Sequence, residues 1–274
     1  MPSIFASSVA SGPSCYDAKV LSLTPHGPEG LTHGLWLMEV ESSGDVHVRP
    51  GQFAMLRPPD WGFDPLWARP FSICRARPDR LAFHFQVAGR GTAALTRLAP
   101  GDLVTVWGPL GNGFAVEPGT PTLLLAGGIG IAPFVEYGAT HPDPARLSLL
   151  FGHRPPLSCY PFGDLARIMP AESFQDKTDK DIVRFVELLD MRMAAHGAQA
   201  GKNGALALAC GPTPFLKSVL ASAARHGVRC QVSLENRMAC GVGACLGCVA
   251  KDHAGHNVQT CTEGPVFWAG DVTL

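Results

Sequence analysis

From about residue 15 to 113, apolar side chains come in short β-rich runs rather than at helical spacing. The runs are Tyr16–Thr24, Gly34–Val40, Gln52–Arg57, Phe71–Ala76, Leu81–Val87 and Leu103–Val106. Turn sequences such as Pro25-His26-Gly27-Pro28, Ser43-Gly44-Asp45 and Pro100-Gly101-Asp102 separate them. Six short strands at this spacing predict a barrel or a sandwich. One short helix interrupts them, with Thr92 as its cap, Leu95 and Leu98 inward, and Pro100-Gly101 as its stop.

After about residue 118 the pattern changes. Thr122–Ala126, Leu147–Gly152 and Ala205–Cys210 are continuous apolar runs, as expected of parallel strands buried on both faces. Thr178 and Asp181 predict a capping-box variant opening a helix. That helix carries Ile182, Phe185, Val186, Leu189 and Met193 on one face and stops near Gly197. Thr213-Pro214 predicts a second helix start, with Phe215, Leu216, Val219, Leu220 and Ala223 buried and Gly227 at its end. In the last strand Val228, Cys230, Val232 and Leu234 alternate with Arg229, Gln231, Ser233 and Glu235, which predicts a half-buried strand. Strands alternating with helices make a parallel α/β domain. Four segments result: a tail at 1–14, a β domain at 15–117, an α/β domain at 118–234 and a C-terminal unit at 235–274.

Composition narrows the class. The chain of 274 residues is 46% hydrophobic and 16% charged, enough apolar sequence for a large core and unlike a disordered chain. A net charge of −1 argues against a nucleic-acid binder. No run of about 18 apolar residues predicts a membrane span, and the N-terminus lacks the basic start of a signal peptide. Nine cysteines, an odd number without even spacing, suggest thiols in a reducing compartment, hence a cytoplasmic location.

Four of those cysteines carry the strongest chemical signal. Cys240, Cys245, Cys248 and Cys261 are separated by four, two and twelve residues, the C-x4-C-x2-C…C spacing of a plant-type [2Fe–2S] loop. Gly241 and Gly243 permit the unusual φ values that turn backbone N–H groups toward sulfur. The alternative is structural zinc, which ordinarily uses two C-x2-C knuckles. Cys15, Cys74, Cys159 and Cys230 are scattered and read as ordinary buried thiols.

Three further motifs point to phosphate-bearing ligands. Arg69-Pro70-Phe71-Ser72 offers a guanidinium fork and a hydroxyl to a diphosphate. His84-Phe85-Gln86-Val87-Ala88-Gly89-Arg90-Gly91-Thr92 follows, with Gly91 and Thr92 at a helix start that favours an anion. Gly127-Gly128-Ile129-Gly130-Ile131-Ala132-Pro133 lies where a strand becomes a helix, the setting of a dinucleotide loop. It is not the G-x-G-x-x-G fingerprint, and no acidic residue stands out about 20 positions on. Cys210-Gly211-Pro212 ends another parallel strand, where open α/β sheets bind ligands. A nicotinamide contact and a plain buried thiol are equally open readings of Cys210.

In this order the motifs resemble the ferredoxin reductase superfamily, and with the appended cysteine loop the chain is similar to the electron-transfer subunits of NAD-dependent dihydroorotate dehydrogenase. Ser233-Leu-Glu-Asn-Arg-Met238 and Gly108-Pro-Leu-Gly-Asn-Gly-Phe114 match that family, and the likeness spans residues 15–274. It implies a six-stranded antiparallel FAD barrel, a parallel NAD domain and a small [2Fe–2S] domain. It implies that Arg69, Pro70 and Ser72 hold the FAD diphosphate and ribityl chain, with Phe71 also among the cofactor-binding residues. His84, Phe85 and Gln86 line the flavin, and Gly91 and Thr92 complete its phosphate site. Gly128, Gly130, Cys210, Gly211 and Pro212 face the pyridine nucleotide, and Cys240, Cys245, Cys248 and Cys261 hold the cluster. No catalytic acid or base is implied. The partner is an FMN-containing dihydroorotate dehydrogenase subunit in pyrimidine biosynthesis, from which electrons reach NAD⁺ through the cluster and FAD.

Rival readings are a diaphorase subunit of another flavin–iron–sulfur complex, a stand-alone oxygenase reductase, and a zinc-bearing interaction protein. The chain departs from the family in one place. Glu172-Ser-Phe-Gln-Asp-Lys-Thr-Asp-Lys180 shows neither the third nucleotide-domain strand nor the acidic turn that follows it.

Overall fold

The computed structural model describes residues 13–44, 46–199 and 204–274. The expected tail at 1–14 therefore lies outside the described residues as far as residue 12, and Ser14 already belongs to the first strand.

The first domain comprises β1 (Ser14–Pro25), a single turn α1 (Gly30–His33), β2 (Leu35–Glu41), β3 (Phe53–Arg57), β4 (Arg69–Ser72), β5 (Arg75–Arg77), β6 (Arg80–Gln86), α2 (Arg90–Leu95) and β7 (Leu103–Leu110). Its seven strands are ordered β4-β3-β7-β1-β2-β6-β5, and every pairing is antiparallel. The expected single strand Phe71–Ala76 is split. Ile73 N–H donates to the Gln52 carbonyl on the β3 side (3.1 Å), and Cys74 N–H donates to the Ala82 carbonyl on β6 (2.9 Å). The chain thus runs directly from β4 at one edge of the sheet to β5 at the other, and the sheet curls toward a barrel. Phe83, Phe85, Leu56, Met38, Val104 and Leu95 fill the interior.

The second domain comprises β8 (Thr122–Gly127), α3 (Ala132–Thr140), β9 (Leu147–His153), α4 (Phe162–Ala166), β10 (Ala171–Gln175), α5 (Asp179–Ala198), β11 (Leu206–Cys210), α6 (Thr213–His226) and β12 (Arg229–Ser233). The strands pair in parallel in the order β10-β9-β8-β11-β12. Alternation along each strand splits the core into two layers. Leu124, Leu149 and Leu208 pack with α3, and Leu125, Leu150 and Ala207 pack with α5 and α6.

Several expectations change here. Residues 171–175 do form a strand, β10, whose five residues are all only partly buried. An edge strand pairs on one side only, so it shows no apolar run. The buried face of α5 is Phe185, Leu189, Met193 and His196, whereas Ile182 and Val186 are each 37% exposed. The Thr178–Asp181 capping box is present, with Asp181 N–H donating to Thr178 Oγ1 and Thr178 N–H to Asp181 Oδ2. Helix α6 is capped by Pro212 in extended conformation, which puts Thr213 at its first position. Strand β12 is buried on both faces, because Gln231 and Ser233 are covered as well.

That cover comes from the C-terminal segment, with β13 (Val249–Lys251), β14 (Asn257–Gln259) and β15 (Val266–Trp268). Strand β15 joins the α/β sheet antiparallel to β12. Asn112, beyond β7, clasps the same segment. Its amide donates to the carbonyls of Glu263 (3.0 Å) and Val266 (2.7 Å) and accepts from Val266 N–H (2.9 Å). Between the first two domains, buried Glu136 of α3 accepts from Ala76 N–H (3.1 Å), and Arg75 pairs with Asp164 of α4.

Candidate cofactor sites

A cleft of about 260 Å³ opens between the barrel and the α/β sheet. Pro70, Phe71 and Ser72 reach it from β4, and His84, Phe85 and Gln86 from β6. Thr92 closes one end, and Gly130, Cys210 and Gly211 form the opposite wall. Motifs more than a hundred residues apart are thereby brought to one space. The walls are largely apolar, with the Phe71 and Phe85 rings 5.3 Å apart between centroids and tilted by 56°, which suits an aromatic ligand.

Arg69, Gly91, Gly128 and Pro212 lie outside the lining. A Cβ on Gly91 would overlap the Arg69 guanidinium, so the arginine rests against the start of α2. Arg69 Nη1 donates to the Trp67 carbonyl at 2.6 Å, and the guanidinium sits 6.0 Å from the centre of the Trp61 ring. Helix α2 begins at Arg90, not at Thr92. Thr92 is its third residue, and its hydroxyl reaches back to accept from the N–H groups of Ala88 (2.9 Å) and Gly89 (3.1 Å). On the opposite wall a Cβ at Gly130 would overlap the Cys210 carbonyl, so only glycine lets the two strand-exit loops touch. Gly128 and Pro212 flank that contact in sequence.

Charge inside the cleft is held down. Among the described residues, neither ring nitrogen of buried His84 has a hydrogen-bond partner. Burial, reinforced by neighbouring His26, lowers its pKa to about 3, so the ring is neutral. Burial, with Glu235 adding to it, pushes the Cys210 thiol up to about 12. Neither residue is placed as an acid or base at neutral pH.

Sequence reasoning missed part of the lining. Phe53, Ala88, Ile129, Ala132, Ser233, Leu234, Glu235, Asn236, Met238 and Pro265 also face the cleft. The Ser233–Met238 stretch was legible as a family motif, but only the fold shows that it floors the cleft on its way to Cys240.

The cysteine loop lies directly behind that floor. Cys248 and Cys261 are buried in a small apolar cluster with Phe53, Met55, Ala68 and Leu110, against which Met238 and Trp107 pack. Cys240 is half-buried and Cys245 exposed. Gly243 N–H donates to Cys261 Sγ (3.2 Å), while Val242 and Cys245 N–H groups donate to Cys240 Sγ (3.5 and 3.4 Å). Desolvation raises the Cys240 thiol, but these amides and that of Ala244 outweigh it and bring its pKa to about 7. Desolvation and the neighbouring Cys248 raise Cys261 to about 11. Gly241 holds the turn at φ +71°, and a Cβ there would lie 2.6 Å from Met55 Cγ. Three thiols on one loop and Cys261 beyond β14, with loop amides donating to Cys240 and Cys261, are a donor set that fits a thiolate-bound cluster. Among the described residues no three ligands converge on a point for a single metal ion. All nine cysteines are free thiols, and Cys15, expected to be buried, is exposed.

Comparison with known proteins matches this layout. Residues 235–273 fit the sequence model of the iron–sulfur cluster binding domain of dihydroorotate dehydrogenase B. The electron transfer subunit of dihydroorotate dehydrogenase B (NAD(+)) from Desulforamulus reducens is 36% identical over 260 residues, 92% of this chain and 95% of that one. The chain belongs to this family. The subunit from Caldanaerobacter subterraneus subsp. tengcongensis is 33% identical over 229 residues, covering 81% of this chain and 86% of its own. The solved NADH-dependent reduced ferredoxin-NADP oxidoreductase shares the fold, with TM-score 0.77 at 22% identity over 93% of this chain and 89% of that one. An iron–sulfur domain, not a zinc ribbon, is thus the family setting of Cys240, Cys245, Cys248 and Cys261. No described helix is long and apolar enough to cross a membrane.

The third strand of the α/β domain in chain order, unreadable in sequence, is β10. It ends at Gln175, and Asp176 follows at once, its N–H donating to the His153 carbonyl (2.9 Å).

Proposed function

We propose that this chain is the electron-transfer subunit of a dihydroorotate dehydrogenase, working with a separate FMN-bearing catalytic subunit and delivering electrons to NAD⁺. The observation that carries the proposal is the shared wall between cleft and cysteine loop. Phe53 and Met238 line the cleft and also pack in the cluster around Cys248 and Cys261. A flavin in the cleft and a cluster on the loop are then separated by side-chain contacts alone.

In this reading Arg69, Ser72, Gly91 and Thr92 hold the FAD diphosphate and ribityl chain. Pro70, Phe71, His84, Phe85 and Gln86 line the flavin ring. Gly128, Gly130, Cys210, Gly211 and Pro212 receive the pyridine nucleotide against the opposite wall. Cys240, Cys245, Cys248 and Cys261 hold a [2Fe–2S] cluster. When bound, the flavin supplies the exchange between the single electrons of the cluster and the pair that nicotinamide takes as hydride. Neutral His84 and protonated Cys210 add no charge to walls that carry the Glu235 carboxyl, and the apolar part of the lining excludes water.

Anaerobic titration of the purified holoprotein with NADH, followed optically, tests this. Bleaching of both flavin and cluster bands is expected, and dihydroorotate is expected to bleach them only when the partner is present. Two chromophores that stay oxidised under NADH would refute the relay.

A further inference from the structure

A cluster that exchanges electrons with a flavin must be held at a fixed place relative to it. The four cysteines fall into two pairs. Cys240 and Cys245 are the more exposed pair, and their loop supports itself, with the Val242 and Cys245 N–H groups donating to Cys240 Sγ. Cys248 and Cys261 are buried with Phe53 and against Met238, which also line the cleft, so this pair stands on the cleft side.

The buried pair sits at the open end of a hairpin. Cys248 directly precedes β13, and only Thr260 separates Cys261 from β14. Val249 pairs with Gln259, and one further bond, from Thr260 N–H to the Cys248 carbonyl (2.9 Å), carries the ladder up to the two cysteines. Two strands of three residues each are too short to hold together unaided in water, and Val249 and Asn257 are exposed. The far end is fastened by Thr273, whose N–H donates to the Lys251 carbonyl (2.8 Å). The cysteine end is fastened by Asn236. A side-chain amide carries two N–H groups, and Asn236 Nδ2 donates to Thr260 Oγ1 at 2.7 Å and to the Val249 carbonyl at 3.3 Å. One amide thus grips both strands, each at the residue next to a buried cysteine. Thr260 is fully buried, so solvent does not compete for its hydroxyl. Asn236 itself belongs to the floor of the cleft.

We propose that Asn236 is the positioning residue that fixes Cys248 and Cys261 against the cleft, acting through Thr260 and Val249. This rests on the relay reading above. Asn236 carries neither electron nor proton; it keeps the two buried ligands in register with each other and with the cleft floor. Groups that orient metal ligands from behind are typically worth about 10–100-fold in affinity or activity.

The test uses the purified holoprotein and its Asn236→Ala, Thr260→Val and Thr260→Ser variants, each with flavin and iron content measured. One readout is the release of iron to an excess of chelator. The other is the anaerobic reaction with NADH, with flavin and cluster bleaching resolved in time and the reduced cluster examined by EPR. Loss of a hydrogen bond raises the opened population of the hairpin about tenfold. Iron release is therefore expected to quicken by about that factor in Asn236→Ala and Thr260→Val. Per loaded cluster, the cluster phase is expected to slow about tenfold in both, with an altered EPR spectrum, while the flavin phase of Thr260→Val stays that of the parent. Thr260→Ser keeps the hydroxyl and is expected to match the parent throughout. Asn236→Ala and Thr260→Val proteins too labile to keep iron, beside a loaded Thr260→Ser, support the proposal. An unchanged cluster phase and EPR spectrum in both of those variants, or Thr260→Ser as impaired as Thr260→Val, would overturn it. A parent protein whose flavin and cluster both stay oxidised under NADH would instead overturn the relay reading, and iron release would still decide the role of Asn236.

Discussion

Neutral His84 ties the stability of the protein to pH. In an unfolded chain its ring takes up a proton near the ordinary value of 6.5, whereas in the fold it does so only near 3. Between those values folding must strip the proton, at up to about 1.4 kcal/mol for each pH unit below 6.5. Stability is therefore full above pH 6.5 and declines as pH falls. Burial lowers His26, His153 and His196 as well, with the same sign. In His84→Phe the slope of unfolding free energy against pH between 6.5 and 5 is expected to fall by about 1 kcal/mol per unit. Urea unfolding at several pH values measures it, and an unaltered slope would show that His84 is not buried neutral. The unpartnered ring was invisible in sequence. Its strand neighbours Phe83 and Phe85 announce the barrel core, but what a side chain on the other face meets depends on His26 and Tyr160.

Among elements, the short ones separate what was legible from what was not. The α5 start could be read because Thr178 and Asp181 satisfy each other within one turn. Strand β10 could not, because its support is the hydrogen-bond ladder to β9 rather than burial of its own side chains. The alternation along β12 was read correctly as a strand but wrongly as half-exposed, because β15 arrives from more than thirty residues away. What fastens that arrival is Asn112, whose single amide replaces three groups a neighbouring strand would supply. Replacing it with alanine strands the Val266 N–H and two carbonyls, and a loss of about 1–3 kcal/mol is expected. Chemical denaturation should show it, together with faster proteolysis within 240–265. A variant as stable as the parent would mean that β15 alone anchors the segment.

At the scale of the whole molecule, the C-terminal segment is a third wall of the cleft rather than an appended bead. Its lead-in floors the cleft, β15 extends the α/β sheet, and Cys248 and Cys261 bury themselves against barrel residues Phe53 and Met55. Flavin reduction and onward transfer should nevertheless be separable. In Cys261→Ser, iron and acid-labile sulfide are expected to be lost while FAD and its reduction by NADH persist, and delivery from the catalytic partner should fall to background. Metal analysis and half-reaction kinetics check this. Unimpaired transfer from the partner in a cluster-free variant would exclude the cysteine loop from the route.

The local chemistry was determined by the sequence alone. The cysteine spacing, the Arg69–Ser72 string, the glycine loop after β8 and the apolar runs of a parallel sheet are all fixed within a few residues, because each depends on backbone geometry and donor type near one point. What only the tertiary structure decided involves partners distant along the chain. The link at Ile73-Cys74 joins the two edges of the barrel sheet, Glu235 and Met238 enter the cleft wall, β10 exists by pairing, and Asp176 meets Arg154 across two strand ends. Those features are set by packing and register, which no short window of sequence contains.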